Sequence, residues 1–202
     1  MKKYELTNET IEYKEKKLYR IKALIDFGNV KKGARGGFVE KEENLSMSGN
    51  AWVSGDALVC GNALVCDDAQ VSGNAWVCGD ALVCGGAFVS GDALVCGNAL
   101  VCDDAQVSGN AFVSGDALVC GNALVDKSIN YAVIKGFGTC GRHTTFFRCK
   151  DKTVKVSCGC FLGTIDEFRN QVKNTREGKI AKEYLMIADL MEMHFSEDGY
   201  DD

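Results

Sequence analysis

The 202-residue sequence contains no proline. Every backbone N–H is therefore available to a hydrogen-bonded ladder, and no position has its φ locked by a ring. Long hydrophobic runs are missing as well. No apolar segment approaches the roughly 20 residues that cross a bilayer, and the two lysines of the opening MKKYELTNETIEY have no hydrophobic segment behind them. These absences predict a soluble chain with no secretion signal and no membrane partner. Basic residues are missing from the centre: residues 48 to 125 hold eight Asp and no Lys or Arg, whereas residues 1 to 47 carry eleven basic against eight acidic side chains, and residues 126 to 202 carry twelve of each. A central segment of that sign repels phosphate, which argues against a nucleic-acid partner. Histidine is scarce, with only His143 and His194, both beyond that segment. Cysteine is plentiful, but eleven is an odd number, and without a secretion signal it fits free thiols in a reducing cytoplasm better than a disulfide scaffold.

From Ser48 to Val125 the chain divides without a gap into thirteen hexads, beginning SGNAWV, SGDALV, CGNALV, CDDAQV. Ala and Val stand two apart in each unit, so on a short strand they point to one side and the residue between them to the other. Gly-Asn and Gly-Asp pairs supply sharp corners because both positions tolerate φ > 0. Each hexad then reads as one side of a coil with Ala and Val facing inward.

Alignment at 18 residues sorts the columns. One holds Ser54, Ser72, Ser90 and Ser108; a second holds Cys60, Cys78, Cys96 and Ser114; a third holds Ser48, Cys66, Cys84, Cys102 and Cys120. A period of six alone would not segregate them, so three sides per coil are expected. At the corners Asp alternates with neutral residues, as in Asp56, Asn74, Asp92 and Asn110. Two carboxylates stacked about 4.8 Å apart repel by roughly 1 kcal/mol even at water's dielectric constant. The outward columns are Leu64, Leu82, Leu100 and Leu118; Leu58, Trp76, Leu94 and Phe112; and Trp52, Gln70, Phe88, Gln106 and Leu124. The Leu column with Trp52, Trp76, Phe88 and Phe112 exceeds the apolar patch a monomer usually exposes and is the leading interface candidate. Either the chain's own C-terminal helices or a second copy is expected to cover it.

These hexads resemble those of the hexapeptide-repeat proteins. The resemblance implies a mainly β fold, a left-handed parallel β-helix with 18 residues per coil, and a homo-oligomer, often a trimer packed side to side. The flanks FGNVKKGARGGFVEKEENLS and TTFFRCKDKTVKVSCGCFLGTIDEF extend the similarity to uncharacterised hexapeptide-repeat or polymer-forming proteins of bacterial phages and prophages. This implies a bacterial host cytoplasm. Relatives of that group carry a Thr-His-Gly segment where this chain has Thr175, Arg176, Glu177 and Gly178.

The expected organisation is an N-terminal strand pair and cap over 1–47, the solenoid over 48–125, a C-terminal α+β element with two helices over 126–195, and an acidic tail over 196–202. Solenoid ends need caps. YELTNETIEY and KLYRIKALIDF read as a hairpin, YAVIKGF, TTFFRCK and TVKVSCGCF as strands. Thr164 with Glu167 forms a capping box, and Ile180, Tyr184, Ile187 and Met191 make one stripe of a second helix.

Many hexapeptide-repeat proteins are acyltransferases, whose mechanism needs a histidine base at a cleft between subunits. The array supplies no histidine and no insertion, and His194 falls near an apolar helix stripe. The expected function is a non-catalytic scaffold or binding module without a cofactor, with an acyltransferase, a filament former and a protein that sequesters a host molecule as alternatives. Cys140, His143, Cys158 and Cys160 are weak candidates for a zinc site, because C-x-C on a strand leaves little slack. The cysteine columns suit soft metals or oxidation, yet serine replaces cysteine within them, as at any small tolerant position.

Overall fold

A computed structural model describes residues 2–139 and 141–196, without the side chain of Arg142. Cys140 and most of the acidic tail lie outside the described residues. The chain forms two compact units, the first ending at Ser128 and the second beginning at Ile129.

The first unit is a parallel β-solenoid of about five turns preceded by a hairpin, β1 (Tyr4–Tyr13) and β2 (Lys16–Ala23). A third strand, β3 (Arg35–Val39), pairs with β2 and opens the parallel stack. Each hexad contributes one two-residue strand, from β4 (Trp52–Val53) to β16 (Leu124–Val125). Leu58–Val59, Trp76–Val77, Leu94–Val95 and Phe112–Val113 continue the sheet of β1, β2 and β3. Leu64–Val65, Leu82–Val83, Leu100–Val101 and Leu118–Val119 form the second wall. The third runs from β4 through Gln70–Val71, Phe88–Val89 and Gln106–Val107 to β16. Every pairing between hexads joins residues 18 apart, so the expected pitch is present.

The walls form because the inward positions are small and uniform. Ala93 and Val95, like their equivalents in each coil, are fully buried, and the ladder runs from Leu58 N–H to Ala75 carbonyl (2.9 Å) and from Cys60 N–H to Val77 carbonyl (3.0 Å). The corners repeat as strictly. Gly79 has φ +74°, and a Cβ there would lie 2.9 Å from the backbone of Gly97 in the next coil. Asp67 and Asp103 take the same corner position at φ +58° and +59°, a region that Asp tolerates better than most side chains. Their carboxylates do a second job, accepting the Gly85 N–H at 3.1 Å and the Gly121 N–H at 2.9 Å.

Asp alternation also has a hydrogen-bonding cause. Asn50, Asn62, Asn74 and Asn98 each donate an amide N–H to the Asp one coil further on, at 2.7, 3.0, 2.9 and 2.6 Å. Asn74→Asp removes one donor and wedges a third carboxylate between Asp56 and Asp92. It is expected to lower stability by about 2 kcal/mol, from two repulsions of roughly 1 kcal/mol. Urea denaturation at low and high salt checks this, since screening should shrink the loss.

The cap begins the coil earlier than the hexads do. Val39 pairs with Val59, and Leu45 bridges to Val65, so these two residues start the inward Val columns of two walls. The open backbone of the first coil is then satisfied by side chains. Lys3 Nζ reaches the carbonyls of Ser48, Gly49 and Ala51 at 3.4, 3.4 and 3.0 Å, and burial lowers its pKa to about 8. Asn44 donates to the Gly61 and Ala63 carbonyls at 3.1 and 2.8 Å. Tyr4 Oη donates to the carbonyls of Glu42 (2.8 Å) and Leu45 (2.9 Å).

In the second unit β17 (Tyr131–Phe137), β18 (Arg142–Arg148), β19 (Val154–Cys158) and β20 (Phe161–Thr164) form an antiparallel meander. The stretch TVKVSCGCF, expected as one strand, instead folds back on itself at Gly159, where φ is +63°. The helices are α1 (Ile165–Thr175) and α2 (Gly178–His194). Thr164 and Glu167 make the expected capping box, with Thr164 N–H to Glu167 Oε2 at 2.7 Å. Phe146, Val156, Phe168, Tyr184, Ile187 and Met191 share one core. Arg169 ties the helices together through Asp189 at 2.8 Å and Glu192 at 2.6 Å.

Candidate functional site

The outward columns run in register along the solenoid. Leu64, Leu82, Leu100 and Leu118 are all half-buried and in unbroken register. Phe88 and Phe112 are 38% and 46% exposed.

Two of the expected interface residues are placed otherwise. Trp52 is only 4% exposed, because Phe27 and Tyr4 pack edge-on against it with ring centres 5.4 and 6.5 Å away. Trp76 is half-buried: Tyr13 lies at 4.9 Å in a T-shaped contact, and Lys14 Nζ sits 4.1 Å from the indole centre. The hairpin thus folds over the upper part of one wall, with Ile11, Tyr13 and Leu18 in the same cluster as Leu58, Cys60, Trp76 and Cys78. Trp52 is thus withdrawn from the surface, and Trp76 keeps only part of its ring accessible.

The thiol columns differ by wall. Under the hairpin, Cys60 is buried and accepts the indole N–H of Trp76 at 3.3 Å. The Cys78 thiol donating to Cys60 holds the Cys60 pKa down, with help from the Trp76 N–H, and the same contact with Cys60 pushes Cys78 up. At the corner that follows the Leu wall, burial, then the Asp67 carboxylate, raises the Cys66 thiol to about 11. Cys84 is raised chiefly by burial. Among the described residues, Cys66, Asp67 and Cys84 are the group of three whose ligand atoms lie within 4.8 Å of one another.

His143, Cys158 and Cys160 are not brought together as such a group among the described residues, and Cys140 lies outside them. Cys158 accepts a hydrogen bond from Thr144 Oγ1 at 3.3 Å, and Cys160 is exposed in the β19–β20 turn. Both line a cavity of about 130 Å³ with Phe161, Phe168, Arg176 and Tyr184. That volume is well below the roughly 300 Å³ at which small-molecule sites begin. His194 packs edge-on against Phe195 at 4.9 Å, and its buried Nε2 has no hydrogen-bond partner among the described residues.

Helix α2 carries an apolar stripe that the sequence reading missed. Met186, Leu190 and Met193 recur at i, i+4 and i+7 and are 71%, 49% and 67% exposed. Their spacing was legible, but the buried stripe of Tyr184, Ile187 and Met191 accounts for the helix alone, and a second apolar face is not needed to fold it.

These walls, corners and ladders define a β-solenoid repeat protein. Residues 69–85 and 105–121 match the model of the YdcK β-solenoid repeat, and the two matched segments start 36 residues apart, at the Ala of each CDDAQV unit. No curated protein matches the chain.

Proposed function

We propose that this chain is a non-catalytic, phage- or prophage-associated scaffold or binding module that works in the bacterial host cytoplasm through self-association of its rigid walls, with a side-to-side trimer as the assembly. The observation that carries this reading is the unbroken Leu64, Leu82, Leu100, Leu118 column, held in register by backbone pairing at every coil. Apolar side chains on a surface that rigid lose little entropy on docking, so burial is offset less than on a flexible surface. Phe88 and Phe112 add exposed aromatic area on the other walls, and the Met186, Leu190, Met193 stripe adds a second apolar surface. The phage association rests on the flanking motifs on either side of the array.

Light scattering coupled to size-exclusion chromatography tests the reading. The expected result is a mass of three chains for the natural protein and of one chain for Leu82→Lys with Leu100→Lys. A monomeric natural protein, or a mass unchanged by the double substitution, would remove the Leu wall from any interface.

A further inference from the structure

The corner after the Leu wall holds donors of a different character from the rest of the array. Cys66 and Cys84 stack one coil apart, and Asp67 sits beside them. Cys66 Sγ lies 3.7 Å from Asp67 Oδ2. The same oxygen accepts the Gly85 N–H at 3.1 Å, which anchors the carboxylate to the coil that carries Cys84. Zinc binds thiolate at about 2.3 Å and carboxylate at about 2.1 Å, so the edges of its coordination tetrahedron are about 3.6 Å. The sulfur–oxygen separation already matches that edge. The remaining pairs lie within 4.8 Å of one another.

Serine satisfies this corner elsewhere, as Ser48 does in the same column, so a small polar residue is all the coil requires. Cysteine nevertheless accompanies the corner aspartate in both CDDAQV units. Thirty-six residues on, Cys102, Asp103 and Cys120 repeat the set in sequence, with the Gly121 N–H donated to Asp103 Oδ2 at 2.9 Å, but among the described residues their ligand atoms are not gathered within 4.8 Å as those of the first corner are. The surrounding array has eight Asp and no Lys or Arg, so its field draws cations in. Cys66 and Cys84 are half-buried and Asp67 is exposed, which leaves a fourth coordination position open to water.

We propose that Cys66, Asp67 and Cys84 form a binding site for a thiophilic divalent cation of the zinc and cadmium class. Two thiolates and one carboxylate select such an ion over magnesium or calcium, which prefer oxygen donors throughout. Binding releases the two thiol protons to solvent and leaves a centre of net charge −1, with water as the fourth ligand. The site stands independently of self-association.

The test uses the full chain, reduced and free of chelator, with Cys102→Ser and Cys120→Ser so that one such corner remains. Cadmium is titrated in, with thiolate-to-metal charge-transfer absorbance and calorimetry as readouts. One equivalent should bind. Cys66→Ser should weaken binding at least tenfold. Asp67→Asn should weaken it several-fold without moving the melting temperature, because Asn also tolerates the left-handed corner. Cys78→Ser, in a different column, should change nothing. A missing charge-transfer band at one equivalent, a band that survives Cys66→Ser, or one lost with Cys78→Ser would overturn the assignment.

Discussion

Val95→Asp is expected to abolish the parallel ladder. Val95 is fully buried between Val77 and Val113 of the coils on either side. The inward positions of the array are Ala and Val throughout, so no donor or base stands opposite a carboxylate placed there. An unpaired buried charge costs several kcal/mol even after it takes up a proton. A loss of more than about 4 kcal/mol falls among the largest single-residue effects. It would propagate, because each coil is stabilised mainly by its two neighbours. Far-UV circular dichroism and urea unfolding check this, with Leu94→Asp as the outward control expected to cost far less. A midpoint for Val95→Asp equal to that of the natural chain would mean that the inward face is not the core.

The second large effect lies in the cap. Tyr4 is fully buried, and its hydroxyl holds the carbonyls of Glu42 and Leu45 in the stretch that precedes the first hexad. Tyr4→Ala should cost about 3–5 kcal/mol, as aromatic truncations in cores do. Tyr4→Phe should cost about 1–2 kcal/mol, because it keeps the ring and removes only the hydroxyl's hydrogen bonding to the Glu42 and Leu45 carbonyls, the former of which still accepts the Leu45 N–H. Hydrogen exchange locates the damage: amides of Phe38, Glu40 and Ser46, which donate to the first coil, should lose protection before those of Leu94 and Cys96. Uniform loss along the array would show that the cap is not a separate cooperative step.

Much of the first unit was legible because its rules are local and repeat. The Ala-x-Val spacing dictates which side chains face inward, and the segregation of serine and cysteine at 18 residues sets the pitch. The corner alternation at Asp56, Asn74, Asp92 and Asn110 also followed from elementary electrostatics, although the Asn-to-Asp hydrogen bonds that reinforce it did not. What escaped depends on contacts between segments far apart in sequence. Val39 and Leu45 belong to the coil, yet GGFVEK and EENLSM lack the alanine and the Gly-Asn corner that mark a hexad. The burial of Trp52 required knowing where Tyr4 and Phe27 come to rest, and no outward column announces that. Asp67 read as one more turn residue, whereas its carboxylate serves the Gly85 amide and stands beside two thiols. In the second unit the turn at Gly159 was hidden because cysteines on both sides continue a strand-like alternation.

The corner pairing restricts how such an array can lengthen. Duplicating the single coil 69–86 would set Asn74 on its own copy along one edge and Asp80 on its own copy along the next. Duplicating two coils keeps each amide facing a carboxylate, as between Asn62 and Asp80 and again between Asn98 and Asp116. Growth by recombination is therefore permitted in double steps and penalised in single ones, as if the prism had parity.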